Sequence, residues 1–167
     1  MKHIIFDLGN TLIEQQIDDS ETLDQKKLIL LNNAFEVLQK LSSDFKIGLL
    51  SNTETSPKES VSLALKKLGI DCFFTTIVTS VDVGYKKPNY HMFEKILTNL
   101  NAKPESTLMV GNDIYADIFG AQKLGMKTIF FSRLESDILK AKKSKTIPDY
   151  EIKDLNELIN LSKKWIH

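Results

Sequence analysis

The sequence predicts an α/β protein built on a Rossmann-like, doubly wound parallel sheet with helices on both faces. Three observations carry that prediction. Short apolar, β-branched runs at 3–6, 45–50, 73–80, 107–110 and 127–131 are too brief for helices and suit buried strands. Amphipathic stretches alternate with these runs through short connections, which implies right-handed crossovers in a parallel sheet. Four of the runs also stop abruptly at small polar or charged residues, the pattern of strands that deliver side chains to one edge.

The first run, His3 to Phe6, ends in Asp7 followed by the structure-breaking pair Gly9-Asn10. Asp7 either caps a turn there or enters the crevice where open α/β sheets bind ligands. Residues 13–19 are polar and acidic. A helix is expected over 22–41, opened by a capping box at Thr22 and Gln25, with Leu31, Ala34, Phe35, Leu38 and Leu41 as its apolar stripe. The second strand ends in Ser51-Asn52-Thr53, either a turn opening or a hydroxyl able to bind a phosphoryl oxygen. Ser56-Pro57-Lys58-Glu59 combines an N-cap, a first-turn proline and an acid, and the helix it opens stops at Gly69.

The third strand leads through Gly84 to Lys87-Pro88, which opens a helix running to Leu100. A lysine at such a helix start either rests in solvent or supplies charge to a bound anion. The fourth strand ends in Gly111-Asn112-Asp113-Ile114-Tyr115-Ala116-Asp117. Asp113 and Asp117 are four residues apart and share a face of the first helical turn. They either favour the helix dipole or contribute to a Mg²⁺ site. After the fifth strand, Lys140, Lys142, Lys143 and Lys145 read as a solvated basic loop, Pro148 to Ile152 as an edge strand, and Asp154 with Glu157 as the cap of a closing helix through Trp165.

Composition narrows the function classes. The 167 residues suffice for one domain with a full core, and zero net charge gives no global attraction to nucleic acid or membrane. Arg133 is the sole arginine, which weakens bidentate phosphate or base recognition. The single Cys72 is expected as a small buried side chain, with no zinc pattern around it. No apolar run reaches membrane-span length and the first strand begins at residue 3, so a cytoplasmic location is expected. An oligomer is neither required nor excluded.

In a parallel sheet, Asp7, Ser51, Lys87 and the Asp113/Asp117 pair gather on one edge. An acid nucleophile, a hydroxyl, a lysine and metal-binding carboxylates suit phosphoryl transfer. With these motifs the chain resembles the haloacid dehalogenase superfamily of phosphatases. The resemblance runs through Ile4-Ile5-Phe6-Asp7-Leu8-Gly9-Asn10-Thr11-Leu12, Leu49-Leu50-Ser51-Asn52, Gly84-Tyr85-Lys86-Lys87-Pro88 and Met109-Val110-Gly111-Asn112-Asp113, then Asp117-Ile118-Phe119-Gly120-Ala121, Leu124-Gly125-Met126 and Pro148-Asp149-Tyr150-Glu151-Ile152. It implies a sheet order 5-4-1-2-3, with Asp7 and Lys87 catalytic and Ser51, Asn52, Asn10 and Thr11 around the substrate. It implies Mg²⁺ as cofactor, held by Asp7, the Gly9 carbonyl and Asn112 or Asp113, with Asp117 behind them.

Three departures from the family pattern matter. The second Asp, the usual proton donor to the leaving group, is replaced by Gly9, and Glu14 is a speculative substitute. The Gly-Asp metal motif reads Gly111-Asn112-Asp113, and Asp113 is favoured as ligand because a hard cation gains more from a carboxylate. Residues 13–44 stand where many members carry a full cap domain, so a single domain over 1–167 with an open site is expected. Such a site admits small or larger phosphorylated substrates, or borrows a lid from a partner subunit. The expected function is a Mg²⁺-dependent phosphohydrolase working through an aspartyl-phosphate on a phosphate monoester. The alternative is a weakly active or non-catalytic binding protein. A response-regulator receiver is disfavoured because its acidic pair should follow the first strand, and no GxxxxGK[ST] or GxGxxG motif points to nucleotides.

Overall fold

The structure is a computed structural model that describes residues 2–15 and 20–165. Its strands are β1 (His3–Phe6), β2 (Lys46–Ser51), β3 (Phe74–Thr79), β4 (Thr107–Gly111), β5 (Lys127–Phe131) and β6 (Tyr150–Ile152). They form one parallel sheet in the order β3-β2-β1-β4-β5-β6, the expected order with the edge strand added beside β5.

Alternation along the strands builds a core on each face. Ile4 and Phe6 of β1, with Leu49, Val110 and Ile129, face one layer. That layer contains α1 (Ala34–Leu41), α2 (Lys58–Lys67) and α7 (Glu157–Ser162), which contribute Val37, Leu38, Val61, Leu65 and Leu158. Ile5, Leu50, Val78 and Met109 point the other way, against Met92, Phe93 and Ile96 of α4 (Tyr90–Leu100). A one-turn α3 (Ser80–Val83) precedes α4. A π-helical turn (Ile114–Phe119) runs into the short α5 (Gly120–Gln122), and α6 (Glu135–Lys143) lies between β5 and β6.

Several elements differ from the sequence expectation. The helix expected over 22–41 is helical only in α1. Its beginning is a single 3₁₀ turn (Leu23–Gln25), where the Thr22 amide does donate to Gln25 Oε1 at 3.0 Å. The intervening residues pair with the loop after β1: Glu14 N–H donates to the Ile29 carbonyl at 2.9 Å and Leu31 N–H to the Leu12 carbonyl at 2.9 Å. Tertiary hydrogen bonding thus overrides a helical periodicity, and Asn33 restarts the chain at φ 67° before α1. Of the polar stretch 13–19, residues 16–19 lie outside the described residues.

Ser56 does not cap α2; Pro57 occupies the cap position, and the Ser56 hydroxyl accepts the Leu23 amide at 2.9 Å. The α4 helix begins at Tyr90, two residues beyond Pro88, with Asn89 accepting the His91 amide as cap. The Lys140-Lys142-Lys143 run lies on α6, not in a loop, with Glu135 and Asp137 in the first turn and lysines in the last, the charge order a helix dipole favours. Cys72 is exposed, because the 3₁₀ turn before β3 directs it outward.

Candidate active site

The register aligns the C-terminal ends of the central strands. Phe6 lies opposite Leu49 on β2 and Val110 on β4, and the Asp7 amide extends the ladder by donating to the Val110 carbonyl at 3.0 Å. Asp7 therefore leaves the sheet level with the end of β4, where buried strands open onto a cavity of about 490 Å³. Gly9, Asn10, Ser51, Asn52, Lys87, Asn112, Asp113 and Asp117 also line it, so the residues singled out on separate strands meet in one place.

The loop after β1 folds back on itself. The amides of Leu12 and Ile13 both donate to the Leu8 carbonyl, at 2.8 and 3.1 Å, and Asn10 takes φ 58° to close the turn. This brings the buried Thr11 hydroxyl to 2.9 Å from Asp7 Oδ2. The Asn10 side chain is engaged with Gln15, donating to its Oε1 at 2.7 Å. Ser51 is buried at the end of β2, and its hydroxyl has no hydrogen-bond partner among the described residues.

Lys87 reaches Asp7 from the other side. Its ammonium donates to Asp7 Oδ1 at 2.7 Å, Asp117 Oδ1 at 2.7 Å and the Leu50 carbonyl at 2.8 Å, so all three N–H bonds are used. Asn52 grips the lysine's backbone: its Oδ1 accepts the Lys87 amide at 2.7 Å, and its Nδ2 donates to the Lys87 carbonyl at 3.1 Å. Asn52 thus positions the lysine with both ends of its amide. Asp117 is fixed in turn by the Asp113 amide on Oδ2 at 3.0 Å. Gly111 makes room for it, since a Cβ there would sit 2.2 Å from Asp117 Oδ2.

Two carboxylates share one buried ammonium. Burial works against the charged lysine, but Asp117 and Asp7 outweigh it and hold Lys87 above the ordinary lysine pKa. Burial pushes the Asp117 carboxyl above the ordinary range, with Lys87 opposing and Asp7 reinforcing the rise. Lys87 consequently stays protonated throughout the working pH range.

The motif after β4 divides its tasks. Asp113 Oδ1 caps the π-helical turn by accepting the Tyr115 and Ala116 amides at 2.9 and 2.8 Å. Asn112 turns its Oδ1 towards Thr11 Oγ1, 3.3 Å away, and its Nδ2 towards Asp137 Oδ2 at 2.9 Å. Asp137 on α6 escaped the sequence reading, because an acid in a first helical turn ordinarily serves the helix dipole. Glu14 is exposed and does not line the cavity.

Among the described residues no group of three or more His, Cys, Asp or Glu side chains is arranged to hold a metal. The oxygens of Asp7 and Asn112 nonetheless converge on the same hydroxyl, at 2.9 and 3.3 Å. One carboxylate with neutral oxygen donors fits Mg²⁺, which retains several waters and needs few protein ligands. No described helix is long and apolar enough to cross a membrane.

The chain is similar to several known proteins. Over 98 residues the chain is 38% identical to a glyceraldehyde 3-phosphate phosphatase of Methanothermobacter thermautotrophicus, covering 59% of this chain and 42% of that protein. Over 99 residues it is 40% identical to pyrophosphatase PpaX of Bacillus mycoides, covering 59% and 44%. The chain thus spans under half the length of these curated relatives. A solved structure of a Listeria monocytogenes serotype 4b protein superimposes with a TM-score of 0.84 at 30% identity, covering 98% of this chain and 99% of that one. The magnesium-bound HAD-hydrolase YfnB of Bacillus subtilis superimposes at 0.68 with 27% identity, over 80% of this chain and 55% of that one. The family model for haloacid dehalogenase-like hydrolases matches residues 12–131, and the chain belongs to that family.

Proposed function

We propose that this chain is a Mg²⁺-dependent phosphohydrolase that acts on phosphate monoesters through an aspartyl-phosphate at Asp7. The observation that carries the reading is the Lys87 ammonium bound to both Asp7 Oδ1 and Asp117 Oδ1 at a cavity on the sheet's C-terminal edge. Lys87 and Thr11 each bind one oxygen of the Asp7 carboxylate, fixing its plane. The carboxylate attacks phosphorus, the ester oxygen leaves with its electron pair, and the phosphoryl group is carried on Asp7. Water then attacks the same phosphorus and releases inorganic phosphate and free Asp7. Ser51 is the hydroxyl that would hydrogen-bond a phosphoryl oxygen. Asp7, the Gly9 carbonyl and Asn112 or Asp113 would hold Mg²⁺, which when bound neutralises phosphate charge and draws it to the carboxylate.

Gly9 carries no proton for the leaving group. General acid catalysis contributes ~10²–10⁴-fold, so esters with good leaving groups should turn over fastest. Residues 13–44 take the place of a cap within one domain, and the strap from 20 to 31 borders the cavity through Leu23 and Lys26. Relatives named for glyceraldehyde 3-phosphate and for pyrophosphate support testing small phosphorylated compounds first.

The test is phosphate release from acyl, aryl and alkyl phosphates with Mg²⁺ or EDTA, for wild type and Asp7→Asn. Mg²⁺-dependent release abolished by the substitution, with rates ordered by leaving group, is the expected result. Undiminished release by Asp7→Asn would overturn the mechanism. Gly9 favours a second reading, a binding protein without useful turnover. Silence across the panel, together with measurable phosphate binding, would select it.

A further inference from the structure

We infer that Asp137 is a positioning residue that holds the Asn112 amide with its oxygen directed at the metal position beside Asp7. The inference rests on the metal-dependent reading of this site given above. Asp137 lies in the first turn of α6 and is 5% exposed, whereas Glu135 and Ser136 of the same turn are exposed. The helix dipole favours an acid at this position but does not account for its turning inward. Instead it turns inward, and its one side-chain partner among the described residues is Asn112 Nδ2, at 2.9 Å.

Chemistry then fixes the orientation of the amide. Asp137 Oδ2 accepts from Asn112 Nδ2, so the NH₂ end of Asn112 faces Asp137 and the carbonyl end faces away. The carbonyl end lies 3.3 Å from Thr11 Oγ1, itself 2.9 Å from Asp7 Oδ2. An amide nitrogen has no lone pair to offer a cation, so a reversed amide would be no ligand at all. The anion behind the NH₂ group also polarises the amide and makes its oxygen the better donor, as carboxylates do behind metal-bound histidines.

The chain thus carries, one side chain further out, the negative charge that Asn112 lacks. Asn112 and Asp137 together stand where a single carboxylate would otherwise serve.

The test is calorimetric titration of MgCl₂ into wild type, Asp137→Ala, Asp137→Asn, and the exchanged pair Asn112→Asp/Asp137→Asn, with thermal unfolding in EDTA as the folding control. Loss of an outer ligand partner typically costs about 10–100-fold in metal affinity. Asp137→Ala should lose binding on that scale, and Asp137→Asn should lose less because it keeps an acceptor. The exchanged pair should regain wild-type affinity, which a merely structural role for Asp137 would not produce. Wild-type affinity in folded Asp137→Ala, or in Asp137→Asn if the alanine variant does not fold, would overturn the inference. So would failure of the folded exchanged pair to recover. Absence of Mg²⁺ binding by wild type would instead defeat the metal-dependent reading itself, and the inference with it.

Discussion

Replacing Lys87 by methionine removes the one charge that reconciles Asp7 with Asp117. The side chain is 2% exposed and contributes three hydrogen bonds, two to carboxylates at 2.7 Å and one to the Leu50 carbonyl at 2.8 Å. Methionine fills nearly the same volume, so the loss is electrostatic and not a cavity effect. Asp7 keeps the Thr11 hydroxyl and Asp117 keeps the Asp113 amide, but neither retains a counter-charge. Breaking a buried pair from one side costs about 3–5 kcal/mol, roughly a fifth or more of the stability of a typical domain. The cost should depend on pH. Burial already raises the Asp117 carboxyl and Lys87 holds it down, so its removal raises that carboxyl further in the folded state. A folded-state value above the unfolded one means the folded variant binds a proton that the unfolded chain releases. Stability is therefore lost as pH rises from the ordinary carboxyl range through the folded value. In wild type Asp117 is already raised to about 7, so in urea unfolding the difference between wild type and Lys87→Met should open as pH rises past about 7 and be clearly larger near about pH 9 than near about pH 5. A difference below about 1 kcal/mol at both pH values, the size of an exposed pair, would refute the picture of one lysine neutralising two buried acids.

Three further outcomes follow from particular contacts. Gly9→Asp should raise turnover of alkyl phosphates by ~10²–10⁴-fold, because a Cβ at Gly9 meets nothing within 4 Å; steady-state kinetics over a leaving-group series would check it. Gly111→Ala should destabilise by about 1–3 kcal/mol and reduce turnover, since its Cβ would fall 2.2 Å from Asp117 Oδ2 and displace the acid from Lys87; denaturant unfolding and phosphate release measure the two effects. At Asp149 burial works to raise the carboxyl, but Lys127 and the Thr128 hydroxyl and amide outweigh it and hold it below the ordinary range. That stabilisation is present above the ordinary carboxyl value and lost as pH falls through the folded one. Wild type should therefore lose more than Asp149→Asn on acidification from about pH 5 to about pH 2, by no more than about 1 kcal/mol because solvent screens the exposed pair, read by denaturant titration.

What the sequence discloses about this protein is concentrated at strand ends. An apolar run stopping at Asp7, another stopping at Ser51, and a Gly111-Asn112-Asp113 break after β4 are local signals, and parallel topology alone brings them together. Lys87 and Asp117 are legible by the same logic, although nothing in their spacing announces that they share an ion pair. The misread elements depend on distant partners. Leu31 and Ala34 continue a helical stripe, yet the strand-like bonds of Glu14 and Leu31 to Ile29 and Leu12 hold the preceding residues extended. Asn52 looks like a ligand-facing amide until its two bonds to the Lys87 backbone are seen. Asp137 resembles any acid at a helix start, and only packing of α6 against the π-helical turn after β4 reveals its contact with Asn112. Local chemistry writes the candidate site at the strand ends, and long-range contacts assign the supporting residues.

The account turns on Asp7 as phosphoryl acceptor. The most direct measurement is acid quenching of enzyme mixed with Mg²⁺ and an acyl phosphate, followed by peptide mass mapping. One alkali-labile phosphoryl group on the peptide containing Asp7, absent from Asp7→Asn, is the predicted result. Steady phosphate release with no phosphoryl group on that peptide, continuing undiminished in Asp7→Asn, would contradict it.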